Sequence, residues 1–152
     1  MKGKRKLLLC LLCLLCIVGG IFVFPFPLSV AKKEVTSITA SIDYDPTPVE
    51  FTDPAAIADF TGAFSPLFAH FRLSAFIPAG GMGYDITFHY ADGTEDTYQH
   101  FGTRIWKNGA GIPLEISDKA WEDIYGAMHT WYFHGLDWIE WTEAQRKEPP
   151  DE

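Results

Sequence analysis

Between Tyr84 and Thr103 the chain reads Y-D-I-T-F-H-Y-A-D-G-T-E-D-T-Y-Q-H-F-G-T, which places two histidines among three aspartates and a glutamate. Imidazole beside carboxylate is the pairing from which general acid–base chemistry is built. Whether such pairs form depends on the turn. A two-residue loop at Asp92-Gly93 would set His89 against Asp96 and Asp85 against His100. A three-residue loop, Ala91-Asp92-Gly93 with Gly93 left-handed, would set His89 against Glu95 and Asp85 against Gln99. It would also put Tyr98 beside Ile86 on the aromatic face. A one-residue slip turns every side chain to the opposite face, and burying Tyr98 rather than Glu95 avoids desolvating a charge. The three-residue loop is therefore the expected register. Even the two-residue register separates its His–Asp pairs by about 13 Å along the strand, too far for one metal ion.

Other candidate chemistry has weaker spacing. His129 and His134 are five residues apart, about 140° around a helix, and so do not share a face; metal-binding helices use a spacing of four. His70 closes a helix-like apolar stripe. P-A-G-G-M-G (78–83) lacks the Lys-Ser/Thr of a phosphate loop, and no G-x-S-x-G occurs. No catalytic residue, metal ligand or cofactor is assigned. Trp138 and Trp141 stand three apart in an aromatic-rich last third. They either pack the final segment over a sheet or form a patch for a partner protein or a sugar ring. The candidate partner surface is thus His89, Glu95, Trp138 and Trp141.

The elements around these residues are readable from period and caps. Glu34 to Tyr44 alternates apolar and polar positions, which predicts a half-buried strand, with a short extension at Val49 and Phe51 after D-P-T-P. Asp53 and Pro54 predict a helix start, and Pro66 an end or kink near Phe64, with Ser65 able to cap a further short turn. A short strand is expected at Leu73–Ile77. The hairpin follows as Tyr84–Tyr90 and Thr94–Phe101, then strands at Thr103–Trp106 and Ile112–Ile116 around a K-N-G turn. Ser117 predicts a helix that stops at Gly135, and Asp137 with Glu140 predicts a last helical segment. The pattern implies an α+β fold: one two-layer domain, an antiparallel sheet of four to five strands, two main helices on one face.

The N-terminal end is of another kind. M-K-G-K-R-K precedes an unbroken run of apolar, glycine and cysteine residues from Leu7 to Phe24. Such a run suits a bilayer span, and the basic head assigns it a cytoplasmic N-terminus with the remainder outside. Two readings stay open. One is an uncleaved signal anchor; the other is a signal peptide cleaved after Ala31, since Ser29-Val30-Ala31 has small residues at the required positions. Lys32 and Lys33 suit the outer flank of an anchor. Residues 1–31 are accordingly read as head and membrane or signal segment, 32–147 as the extracytoplasmic domain, and 148–152 as a disordered acidic tail. Cys10, Cys13 and Cys16 all lie in the apolar run, each after a leucine, so the exported part has no disulfide and no thiol nucleophile. Once the four basic residues of the head are set aside, 8 Lys and Arg face 20 Asp and Glu, a net charge of −12. That balance argues against nucleic acid and anionic surfaces as partners.

G-Y-D-I-T-F-H-Y-A-D-G-T, with T-D-P-A-A-I before it and I-S-D-K-A-W after it, resembles small uncharacterised membrane-anchored or exported domains of Gram-positive bacteria. The resemblance spans residues 35–132 and implies export and an α+β fold, with no catalytic residue to carry over. The resulting expectation is a non-enzymatic extracytoplasmic module, at the membrane or secreted, that binds a protein or peptide, for instance along a strand edge at Val35–Tyr44. The alternatives are a cell-wall or carbohydrate-associated protein using the tryptophans, and a hydrolase with a non-local His/carboxylate site. Oligomeric state is left open.

Overall fold

A computed structural model describes residues 2–72, 82–109 and 112–147. The expected strand at 73–77 and the tail at 148–152 lie outside them. Among the described residues four α-helices, α1 (Lys2–Val23), α2 (Pro54–Ala63), α3 (Asp118–Ala127) and α4 (Trp138–Lys147), accompany one sheet. Its eight strands are β1 (Phe26–Pro27), β2 (Val35–Ile42), β3 (Asp45–Phe51), β4 (Phe68–His70), β5 (Gly83–Tyr90), β6 (Glu95–Phe101), β7 (Arg104–Lys107) and β8 (Leu114–Ile116). The fold is α+β and every strand pair is antiparallel, in the order β1-β4-β8-β7-β6-β5-β2-β3.

The sheet is larger than the four to five strands expected, because β1, β3 and β4 are short or proline-bearing. Asp45-Pro46-Thr47-Pro48 does not end the strand pattern; it opens β3 and occupies an edge, where a missing N–H leaves no ladder bond unmade. β2 lies between β3 and β5, so from Ile38 to Ile42 it is not an edge open to a peptide. The outermost strands, β1 and β3, carry Pro27 and Pro46 with Pro48, which blunt further pairing. The second helical turn expected after Ser65 is β4 instead. His70 is a strand residue paired with Glu115.

Local signals place the helices. The Asp53 side chain accepts from Ala55 N at 2.7 Å, with Pro54 in the first helical position. Ser117 Oγ accepts from Ala120 N at 3.2 Å. α3 continues into a π-helical turn, Met128–Tyr132, and the chain reverses at His134 and Gly135, where φ is 54° and 78°. Asp137 and Glu140 cap α4 reciprocally: Glu140 N donates to Asp137 Oδ1 at 2.8 Å, and Asp137 N to Glu140 Oε2 at 3.4 Å.

The apolar face of the sheet meets α2. Phe64 packs on Tyr98 and Phe88 with ring centroids 4.7 and 5.2 Å away, and Ile38, Ile86 and Ile105 are fully buried around them. The core also takes in Leu28 and Val30. The packed unit therefore reaches across the boundary placed between residues 31 and 32. α1 covers the apolar run, and its described leucines, with Ile17, stand exposed to 55–65%. Among the described residues, which leave out several α1 side chains, no helix is long and apolar enough to cross a membrane.

Candidate functional site

The hairpin adopts the three-residue turn. Tyr90 N donates to Thr94 O at 3.0 Å, Gly93 N to Tyr90 O at 2.9 Å, and Gly93 has φ 79°. Glycine takes this left-handed backbone at little cost. Ile86 therefore faces Tyr98, His89 faces Glu95 and Asp85 faces Gln99. The strand pleat sends alternate side chains to two different environments.

On the solvent side, β2, β5 and β6 present a polar field. His89 Nε2 and Thr39 Oγ1 are 3.2 Å apart, and His89 Nδ1 lies 3.6 Å from Glu95 Oε2. The next row inward from the turn joins Thr87 Oγ1 to Thr97 Oγ1 at 3.1 Å. Hydroxyl, imidazole and carboxylate in sequence resemble the order nucleophile, base, orienting acid. The last link is longer than a hydrogen bond, and the Glu95 side chain is 63% exposed. The neighbouring backbone N–H groups lie in the sheet plane and bond along the ladder, so they do not aim at an oxyanion above this face.

On the helix side lies a cluster the sequence reading missed. Asp96 shares the inward face with Phe88 and Tyr98 and is 8% exposed. Its Oδ2 accepts from Tyr90 Oη at 2.8 Å, Lys107 Nζ at 2.9 Å and Ala31 N at 3.2 Å; Oδ1 accepts from Asn108 Nδ2 at 3.3 Å. Burial alone would raise this carboxyl, but the Lys107 ammonium, the Tyr90 hydroxyl and the Asn108 amide outweigh it and hold the group below its ordinary value. Burial and the bond to Asp96 push the Tyr90 hydroxyl up to about 12. The signal was present: in the three-residue register Asp96 must point inward, and a buried carboxylate requires a partner. Lys107 supplies it, directly across from Tyr98 on β7.

His100 is also inward and 2% exposed, and neither ring nitrogen has a hydrogen-bond partner. Its ring stacks on Tyr84 with centroids 5.7 Å apart, and burial pushes its pKa down to about 4. It is a neutral core histidine. His129 rests against Tyr125, and His134 is exposed in the turn after the π-helical segment. Among the described residues no group of three or more His, Cys, Asp or Glu side chains is placed to hold a metal ion.

Trp138 and Trp141 do stack, at 5.4 Å and 22°, but not as a surface platform. Trp141 is 8% exposed and its ring meets Tyr132 and Phe133 at 5.8 and 5.7 Å. The pair packs α4 onto the domain, with exposed Tyr44 covering the outer ring of Trp138. The structure thus keeps His89 with Glu95, and sets Trp138 and Trp141 apart from them in a separate aromatic cluster. No family model matches the chain, and no curated protein or solved structure is significantly similar to it.

Proposed function

We propose that the protein is a non-enzymatic extracytoplasmic module, tethered to the membrane through α1, that binds a protein or peptide on the open face of its sheet. The observation that carries this reading is the contrast between the helix and the domain. α1 exposes leucine at positions 9, 11, 12, 14 and 15, which cover its circumference, and an all-round apolar helix needs an apolar environment. The domain gathers most of its apolar side chains into one core and turns a polar field outward on β2, β5 and β6. Of the two polar side chains buried among the described residues, Asp96 is engaged by Tyr90, Lys107 and Asn108, and His100 stacks on Tyr84. The resemblance to exported domains of Gram-positive bacteria agrees with this placement.

A partner would meet Thr87, Thr97 and Gln99, neutral groups that form hydrogen bonds without a large desolvation penalty. The proline-blunted edges favour contact across the face over addition of a strand. The test is a photo-crosslinking residue at Thr97 in the full chain on native membranes, with Glu122 on the helix layer as control. The expected result is a discrete adduct at position 97 alone that Thr87→Lys abolishes. Equal adducts at both positions would overturn the reading.

A hydrolase is the second reading, favoured by the Thr39–His89–Glu95 series alone. Thr39→Val should then abolish turnover of activated esters by the purified chain; hydrolysis unaffected by that substitution removes this reading.

A further inference from the structure

The segment that carries the export cleavage motif is itself a structural strap of the domain. β1 pairs with β4, Phe26 opposite Ala69 and Pro27 opposite Phe68. From Leu28 to Ala31 every residue is held by a hydrogen bond to the sheet or its flanking loop. Leu28 N donates to Leu67 O at 2.9 Å, and Tyr98 Oη donates to Leu28 O at 2.6 Å. Ser29 Oγ accepts from Leu67 N at 2.8 Å, and Ser29 O accepts from Lys107 Nζ at 3.2 Å. Val30 N donates to Phe64 O at 3.4 Å, and Ala31 N donates to both Tyr90 Oη and Asp96 Oδ2. Leu28 and Val30 are 9% and 6% exposed and belong to the main core. Lys33 continues the attachment, with Nζ 2.8 Å from Asp92 Oδ2 and 2.7 Å from Thr94 Oγ1 at the hairpin turn.

We infer that the chain is not cleaved after Ala31 and that residues 26–31 are a permanent strap joining α1 to the sheet. A chain beginning at Lys32 would lose two core side chains. It would leave the fully buried Tyr98 hydroxyl without its acceptor, and remove the backbone groups that Asp96 and Lys107 hold. Between the end of α1 at Val23 and the start of β1 at Phe26 stand only Phe24 and Pro25, so β1 begins within about 11 Å of the helix end. This deepens the tethered reading and rests on it: the anchored module cannot swing free on a linker, and the β1–β4 edge works next to the membrane surface.

The experiment uses the full chain with a C-terminal tag, expressed in a bacterial host, fractionated and extracted in mild detergent. Intact mass and hydrogen exchange are then recorded. The expected result is an uncut N-terminal segment, with the amides of Leu28, Val30 and Ala31 protected like those of β5. Tyr98→Phe should speed exchange at these amides about five-fold while β5 stays protected. A mature N-terminus at Lys32, or unprotected amides at 28–31 in a folded chain, would overturn the strap. Recovery of the intact, protected chain from the soluble fraction would uphold the strap and overturn the membrane reading.

Discussion

Asp96 with Lys107 and His89 with Glu95 are cross-strand polar pairs on opposite faces of the sheet. The inner pair is 2.9 Å apart beneath Tyr98, and its carboxylate takes four hydrogen bonds. The outer pair is 3.6 Å apart in water. In the first, removing one partner leaves a desolvated charge without compensation. In the second, water replaces whatever is removed. Similar groups thus hold the strap in place on one face and stand open to solvent on the other.

The largest effect that would test this difference comes from Asp96→Ala. It should destabilise the detergent-solubilised chain by about 3–5 kcal/mol in urea unfolding, because Lys107, Tyr90 and the Ala31 amide lose a common acceptor. A loss below about 1 kcal/mol would erase the distinction between the faces.

Next comes acidity. His100 is neutral when folded, with a pKa of about 4 against 6.5 unfolded. The unfolded chain binds the extra proton between these values, so stability should fall as pH drops from about 6.5 to about 4, by on the order of 2–3 kcal/mol. Asp96 acts in a lower window. Its depressed carboxyl contributes stability above its unfolded value and loses it only as pH falls further. Urea midpoints against pH should flatten above pH 4 in His100→Phe, which keeps the stack on Tyr84 and removes both unpaired nitrogens.

Tyr98→Phe should cost about 1–2 kcal/mol, the loss of one buried hydrogen bond to Leu28 O. The smallest effect is expected on the outer face. His89→Ala and Glu95→Ala should each change stability by less than about 0.5 kcal/mol, with no measurable coupling in a double-mutant cycle.

Much of the fold was legible because its signals are local. The caps at Asp53, Ser117 and Asp137 act within three residues, and the hairpin register followed from asking which of Tyr98 and Glu95 tolerates burial. What was missed depends on partners distant in the chain. β3 hid behind two prolines, which only an edge position permits. β4 is three residues long and needs β1 and β8 on either side. Trp138 and Trp141 had helical spacing compatible with a surface platform, and only the approach of Tyr132 and Phe133 buries one of them.

The sequence by itself determined the apolar N-terminal run and the α+β pattern and narrowed the hairpin at Asp92-Gly93 to two registers, since backbone period and turn geometry are properties of neighbours. The burial cost of Glu95 against Tyr98 favoured the three-residue turn, and the sheet decided it. The tertiary structure alone decided that residues 28–31 belong to the core. Ser29-Val30-Ala31 has the small residues of a cleavage motif, and nothing local shows that Tyr98, Lys107 and Asp96, some seventy positions away, hold its backbone. Long-range hydrogen bonds to a backbone leave no mark on side-chain identity. The strap therefore becomes visible only once the sheet brings its partners to it.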